Sequence, residues 1–256
     1  MRIFIAENPL SLGKSASAEA AKAINRAIKE KGKARIILST GMSQFETLSA
    51  LVSESVDWSK VEMFHLDEYC GLPESHIASF RRYLKERFIS KVELGSYHLV
   101  GGTESLEDIS YALKSEDIDL GLIGIGENGH IAFNDPPCDF YSDSAYITVM
   151  LNEECRNQQV REGWFKSPEE VPEKAISMTP HMIMKCRTII SAVPYSVKAS
   201  AIRNTLESHI VTNMVPATLL KTHSDFSLFL DKDSAGFLDI DKIIAFDGNT
   251  IFLSYI

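Results

Sequence analysis

The chain has 256 residues, of which 45% are apolar and 24% are charged, so it is long enough to bury a substantial core in one large domain. Its net charge of −9 excludes the basic surface that drives binding to nucleic acid or to anionic lipid. Its four cysteines form no Cys-x-x-Cys pair, and no apolar run approaches the roughly 18 residues of a membrane span. We therefore expect a cytoplasmic protein without a metal site, a disulfide framework or a membrane anchor.

Short apolar runs alternate with helical patterns along the chain. The strand-like runs are residues 3–5, 35–38, 61–66, 120–125, 188–193 and 227–230. Apolar residues repeat at helical spacing in three sets: Ala20, Ile24, Ala27 and Ile28; Phe45, Leu48 and Val52; and Val197, Ala201 and Leu206. This alternation predicts an α/β fold with a single doubly wound, mostly parallel, Rossmann-like sheet and helices on both faces. We expect one domain over residues 1–256, and the alternation in residues 239–256 suggests added β-strands.

Open parallel sheets bind ligands beyond the carboxyl ends of their strands, so the loops after the predicted strands are the candidate binding segments. The first is Ser39-Thr40-Gly41-Met42-Ser43, which leads into the capping-box pattern Ser43-Gln44-Phe45-Glu46. Hydroxyls and free backbone N–H groups at a helix N-terminus suit an anion such as phosphate. A plain N-cap is the simpler interpretation of this loop taken alone.

The second loop brings two adjacent carboxylates, Asp67 and Glu68, to the same edge of the sheet. Neighbouring acids repel each other when both are ionised, which predicts a raised pKa for one of them. A carboxylate of this kind could abstract a proton next to a carbonyl group. In the alternative interpretation, Asp67 caps its loop and Glu68 faces water. We expect His65 to be structural, because it alternates along the strand with Val61 and Met63.

The third loop is glycine-rich and spans residues 124–136. Its glycines let the backbone approach a ligand closely, and His130 and Asp135 could move protons. The loop also matches the Gly-x-Gly-x-x-Gly dinucleotide fingerprint, but Pro136-Pro137 leaves no room for the long helix which that site requires. Companion metal ligands at the usual spacing are missing. We therefore predict neither a cofactor nor a metal here.

Basic residues near two predicted helices could bind the same anion. Lys198 lies at the start of a helix, where a cation gains nothing from the helix dipole, so an anionic ligand would explain it. A solvated surface lysine is the alternative. Arg156 and Arg161 could bind phosphate in a bidentate manner, or could pair with nearby acids.

Taken together, these segments resemble the glucosamine-6-phosphate deaminase/isomerase family over residues 1 to about 233. Leu66-Asp67-Glu68-Tyr69-x-Gly71-Leu72-Pro73 looks like the family's Asp-Glu-Tyr-Val-Gly-Leu segment. Residues 124–136 are similar to its Gly-His-Ile-Ala/Gly-Phe-Asn-Glu-Pro loop. The resemblance implies a cofactor-free isomerisation and deamination of an amino-sugar 6-phosphate, with glucosamine 6-phosphate giving fructose 6-phosphate and ammonia.

The resemblance also implies roles for individual residues. Asp67 would move the sugar's C2 proton to C1, and His130, oriented by Asp135, would act on the ring oxygen during ring opening. The residues implied to bind substrate or its phosphate are Thr40, Gly41, Met42, Ser43, Gly129, Ala132, Arg161 and Lys198.

Two positions depart from the family pattern. Asn128 stands where the best-known members have aspartate, and Asp135 replaces the usual glutamate, which shortens the side chain by one methylene. Asn128 cannot take a proton, so ring opening should slow if it needs a carboxylate there and should survive if it needs only a hydrogen bond.

These departures leave alternatives open. They are galactosamine-6-phosphate isomerase, a 6-phosphogluconolactonase-type hydrolase, and a non-catalytic sugar-phosphate sensor. In each case the expected partner is a small sugar phosphate, with no nucleic acid and no membrane involved. Homo-oligomer formation is compatible with the sequence, which does not set the oligomeric state.

Overall fold

The computed structural model describes residues 1–239 and 252–256, and its main feature is a sheet of eight parallel strands. These strands are β1 (Arg2–Ala6), β2 (Ala34–Leu38), β3 (Val61–His65), β5 (Ser96–His98), β6 (Leu120–Leu122), β9 (Thr188–Val193), β10 (Phe226–Asp231) and β11 (Phe252–Tyr255). Their spatial order is β11-β1-β10-β9-β6-β2-β3-β5. Every neighbouring pair is parallel, as the alternation of strands and helices predicted.

A second, antiparallel sheet was not predicted. It consists of β4 (Asp67–Tyr69), β7 (Tyr146–Met150) and β8 (Lys174–Met178) in the order β4-β8-β7. β4 begins at the residue that we expected in a loop, and Asp67 pairs with Ser177 of β8. Its sequence Asp-Glu-Tyr has no apolar alternation, so no local pattern indicated a strand there.

Helices cover both faces of the main sheet. On one face lie α1 (Pro9–Lys31), α2 (Phe45–Leu51) and α3 (Phe80–Arg87), and on the other lie α4 (Leu106–Ser115), α6 (Pro180–Ile183) and α7 (Ala199–Glu207). α5 (Glu153–Arg161) instead packs in an apolar cluster with residues of the second sheet.

Strand β2 shows how the core is divided. Ile37 packs in the core that contains residues of α4, α6 and α7, whereas Ile36 and Leu38 pack in the core that contains residues of α1, α2 and α3. Successive side chains on a strand point to opposite faces, so a sheet covered on both sides needs apolar residues at consecutive positions. The doubly wound α/β class is therefore confirmed.

Two sequence predictions differ in detail from the structure, and the predicted added strand in the tail is present as β11. The strand predicted over 120–125 ends at Leu122, because the chain leaves the sheet there for the glycine-rich loop. Val197, predicted in a buried stripe, is 59% exposed, since it lies in a 3-10 turn, Ser196–Lys198, before α7. In the tail, β11 pairs with β1, while residues 240–251 lie outside the described residues. Within the described part of the chain, no helix is both long and apolar enough to cross a membrane.

Candidate active site

Loops that follow β2, β3, β6 and β9 line one cavity of about 590 Å³ at the carboxyl edge of the main sheet. Of the twelve residues predicted for the site, nine line this cavity: Thr40, Gly41, Met42, Ser43, Asp67, His130, Ala132, Arg161 and Lys198. The other three, Asn128, Gly129 and Asp135, do not line it. The predicted segments therefore converge, as expected for the edge of an open α/β sheet.

The loop after β2 turns differently from our prediction. Met42–Gln44 forms a 3-10 turn, and α2 begins only at Phe45. The predicted capping box is wrong, because the Ser43 side chain caps no backbone N–H and its Oγ instead accepts from Gln44 Nε2 at 3.1 Å. The Oγ of Ser39 is buried and has no hydrogen-bond partner. Thr40 and Ser43 line the cavity, so this loop brings their hydroxyls to the candidate site.

Asp67 and Glu68 have very different surroundings. Asp67 lines the cavity and is only 5% exposed. Burial, and then the negative charge of Glu68, hold its pKa well above the usual carboxyl range, as the pair of adjacent acids predicted.

Glu68 is fully buried, so the alternative in which it faces water is wrong. Its carboxylate accepts from Ser79 Oγ at 2.9 Å and from Arg81 N at 2.8 Å, and it forms an ion pair with Arg81 Nε at 3.2 Å. It thereby satisfies donors at the start of α3. His65 is also buried, as predicted, and burial lowers its pKa to about 3, which keeps the ring neutral.

His130 is held by two partners from its own loop. Its Nδ1 lies 2.7 Å from Asn128 Oδ1 and 3.1 Å from Asp135 Oδ1, and Asn128 Nδ2 donates to the same Asp135 oxygen at 3.0 Å. Two acceptors at Nδ1 require the proton to be there, which leaves Nε2 as the reactive nitrogen. Burial opposes ionisation of Asp135, but hydrogen bonds and charge from His130 lower its pKa below the usual value.

Asn128 and Asp135 therefore lie behind His130 and orient it. Gly129 has a different role from the predicted one. Its φ is +84°, and a Cβ on it would lie 2.7 Å from Val215 Cγ1. The residue is needed for a tight turn packed against Val215.

Lys198 lies at the end of the Ser196–Lys198 turn and is 8% exposed, so the solvated-lysine alternative is wrong. Burial lowers its pKa, while the negative charges of Glu162 and Glu127 oppose that shift. Arg161 also reaches the cavity from α5, but its side chain is 58% exposed and pairs with Glu127 at 3.2 Å. A buried amine at the cavity is a natural partner for an anionic group.

Several cavity residues were missed by the sequence analysis. They are Phe80, Phe133, Gln158, Gln159, Glu162, Trp164 and Tyr195. Gln159 is nearly buried and accepts from Tyr69 Oη at 2.7 Å. The pair Gln158 and Gln159 in an otherwise polar helix was the one sequence feature that could have indicated part of this set. Their burial, however, depends on which strands α5 covers.

A carboxyl group with a raised pKa, an imidazole held in one tautomer and a buried lysine thus face one cavity of an open α/β sheet. This combination defines an enzyme site for proton transfer on a small anionic substrate. The chain belongs to the family of glucosamine-6-phosphate isomerases/6-phosphogluconolactonase, whose pattern it matches over residues 7–228.

Similar proteins include a glucosamine-6-phosphate deaminase of Thermoanaerobacter sp. (strain X514), which is 33% identical over 250 residues, or 93% of this chain and 95% of that protein. Another, from Halothermothrix orenii, is 37% identical over 209 residues, or 78% of this chain and 85% of that protein.

Solved structures agree with this placement. A monomeric glucosamine-6-phosphate deaminase superposes with a TM-score of 0.82 at 29% identity, covering 93% of this chain and 100% of that one. The 6-phosphogluconolactonase of Thermotoga maritima has a TM-score of 0.72 at 15% identity, with coverage of 91% of this chain and 100% of that one, and it shares the fold alone.

Proposed function

We propose that this protein isomerises and deaminates an amino-sugar 6-phosphate, and that glucosamine 6-phosphate is its substrate, giving fructose 6-phosphate and ammonia. The observation that carries the proposal is the convergence of Asp67, His130 and Lys198 on one cavity, although they follow three different strands. Isomerisation of a sugar phosphate needs a base, a group that opens the ring and an anion site, and these residues supply all three.

In the proposed complex, the phosphate lies between the Lys198 amine and the hydroxyls of Thr40 and Ser43. Arg161 leaves Glu127 and adds a second positive charge, since the Arg161 side chain is 58% exposed and water weakens the ion pair. These contacts place the sugar with little freedom to move, which converts later proton transfers into intramolecular steps.

Ring opening is assigned to His130. Its Nε2 takes the proton of the C1 hydroxyl and delivers a proton to the ring oxygen as the C1–O5 bond breaks. Asp135 stabilises the imidazolium formed between these two transfers, and Asn128 keeps the ring in the reactive tautomer. Asn128 thus acts through hydrogen bonds alone, so ring opening does not need a carboxylate at that position.

Isomerisation is assigned to Asp67. Its carboxylate removes the C2 proton of the open-chain aldehyde, the substrate's ammonium group gives a proton to O1 so that the enolamine forms, and the same carboxyl group returns the C2 proton to C1. C2 is then an iminium carbon, which water attacks, and the C–N bond breaks to release ammonia. A raised pKa makes Asp67 a stronger base than an ordinary aspartate and lets it hold the proton between the two carbons. These side chains carry the proposed steps without a cofactor.

The proposal also covers the setting of the reaction. All four cysteines, Cys70, Cys138, Cys155 and Cys186, are free thiols, which supports a reducing compartment such as the cytoplasm. The proposed partner is a small sugar phosphate, with no nucleic acid or membrane surface involved.

The decisive experiment measures ammonia and fructose 6-phosphate formed from glucosamine 6-phosphate by the purified protein. Galactosamine 6-phosphate and 6-phosphogluconolactone are assayed in parallel. We expect turnover of glucosamine 6-phosphate. Folded protein that turns over neither amino sugar would remove the proposal, lactone hydrolysis alone would make the protein a lactonase, and sugar-phosphate binding without turnover would make it a sensor.

A further inference from the structure

Tyr195, in the loop after β9, has a backbone conformation that L-residues rarely adopt. Its φ is +81° and its ψ is +144°. Among the non-glycine residues that the structure describes, only Ala132 and Tyr195 have a positive φ, and both line the cavity. Such conformations are strained, and they persist only where the surroundings impose them. The strained residues of this protein are thus concentrated at its candidate site.

The backbone of Tyr195 is tied on both sides. Asp231, buried at the end of β10, accepts from Tyr195 N at 3.1 and 3.2 Å and from Ser234 N at 2.7 Å. The Tyr195 carbonyl accepts from Lys198 N at 3.0 Å. Tyr195 therefore begins the turn that brings Lys198 to the cavity, and its conformation sets where that turn starts.

The side chain of Tyr195 reaches a different segment, the start of α2. Its hydroxyl lies 3.1 Å from both carboxylate oxygens of Glu46, in the first turn of α2. Burial, and then the negative charge of Glu46, raise the pKa of Tyr195 to about 12, so the hydroxyl remains a donor at neutral pH. Tyr195 follows β9 and α2 follows β2, and β6 lies between these two strands in the sheet. This hydrogen bond therefore joins segments that follow two non-adjacent strands.

We propose that Tyr195 is a positioning residue, whose hydrogen bond to Glu46 holds the turn of Lys198 at a fixed separation from the Thr40–Ser43 hydroxyls so that both bind one phosphoryl group. Glycine would relieve the backbone strain but would remove this bridge. The inference rests on the proposed function only in placing a phosphoryl group at Lys198.

The strain is tested by comparing two variants that both lose the ring. Tyr195→Gly should melt at a higher temperature than Tyr195→Ala, because only alanine retains a Cβ at positive φ. The same pair at Tyr141, which is 95% exposed and outside the cavity, is the matched control. At this position the Tm of Tyr141→Ala should equal or exceed that of Tyr141→Gly, since glycine loses more conformational entropy on folding.

The positioning role is tested with Tyr195→Phe, which keeps the ring and the backbone but removes the hydroxyl. We expect the Kd for inorganic phosphate, measured by titration calorimetry, to rise roughly three- to tenfold, as loss of one positioning hydrogen bond implies. KM for glucosamine 6-phosphate should rise similarly, with kcat within about twofold of wild type, because the base and the imidazole come from other loops. Tyr141→Phe should change none of these values.

The outcomes separate this inference from the proposed function. A shift in phosphate Kd in a protein that turns over no amino-sugar phosphate would retain the inference and remove the proposed activity. If Tyr195→Phe shows full turnover with unchanged phosphate Kd and unchanged KM, the proposed activity is retained and the inference is removed. The inference is also overturned if the wild-type protein binds no phosphate, or if Tyr195→Gly melts no higher than Tyr195→Ala.

Discussion

At Asp67, burial disfavours the ionised carboxylate that the proposed reaction needs. Its raised pKa means that folding disfavours the ionised form that the proposed base requires. Asp67→Asn should therefore lower kcat roughly a hundred- to ten-thousand-fold, the usual contribution of a general base, while substrate Kd changes little. A comparable loss of affinity and turnover would instead indicate that Asp67 binds the substrate.

The same substitution should change stability in a pH-dependent way. A carboxyl group whose folded-state pKa is raised contributes stability below its unfolded pKa and loses that contribution as pH rises through the folded pKa. Asparagine does not ionise, so Asp67→Asn should raise Tm near neutral pH and give no gain in strong acid. Thermal melts of both proteins across the acid and neutral range measure this, and a gain confined to low pH would contradict the assignment.

Burial is the larger cause of the raised pKa of Asp67, and the charge of Glu68 adds to it. This negative charge raises the pKa of Asp67, so Glu68→Gln should move the acid limb of the pH profile of kcat/KM to lower pH. Glu62→Gln is the matched control, because Glu62 also pairs with a buried arginine, Arg35, but its charge does not contribute to the raised pKa of Asp67. An acid limb that moves equally in both variants would exclude a specific effect of Glu68.

At the scale of elements, the glycine-rich loop positions His130 by close contact of its own residues with the ring. A Cβ on Gly126 would lie 2.0 Å from His130 Cε1, while Asn128 and Asp135 hold Nδ1. Gly126→Ala must therefore displace the imidazole, and we expect kcat to fall about a hundredfold, as small misplacements of reacting groups do. Phosphate Kd should be unchanged.

The control for this loop is Gly236→Ala, whose Cβ would lie 3.2 Å from the Asp233 carbonyl oxygen and outside the cavity. Steady-state kinetics and phosphate titration of both variants provide the comparison. Normal kcat in Gly126→Ala would mean that His130 does not take part in the limiting step.

At the scale of the whole molecule, Arg35 joins the main sheet to a covering helix. It is 1% exposed, pairs with Glu62 of β3 at 2.6 Å, and donates to backbone carbonyls of Ala112 and Leu113 in α4. Arg35→Leu leaves these acceptors without their donor and should cost about 3 kcal/mol or more in the free energy of unfolding. Urea denaturation measures the loss, and activity per folded molecule should be retained.

An exposed ion pair gives the comparison for Arg35. Lys60 and Asp57 lie 2.9 Å apart with about half of each side chain exposed, at 50% and 47%. Lys60→Ala should therefore cost less than about 1 kcal/mol. Equal losses in the two variants would show that burial does not determine the contribution of Arg35.

Much of the main sheet could be predicted because its strands are marked by residue patterns within short segments of the chain. Residues 36–38, 189–190 and 192–193 are apolar at consecutive positions, which is what a strand buried on both faces requires. The edge of the sheet where the loops converge then follows from strand direction, so Asp67 and His130 could be assigned to one place before their contacts were known. Lys198 was assigned to the same site only through the family resemblance.

The amino-acid sequence by itself therefore determined most strands of the main sheet, the edge where the loops converge and the candidate residues, since these depend on neighbours along the chain. The edge strand β5 (Ser96–His98) was not predicted. Tertiary structure alone decided the second sheet, the burial of Glu68 and Lys198, and the positive φ of Tyr195. Each of these depends on partners distant in sequence, such as Ser177 beside Asp67, Arg81 beside Glu68 and Asp231 beside Tyr195. Burial and backbone strain arise from contacts between segments that are distant in sequence, so local residue patterns do not reveal them.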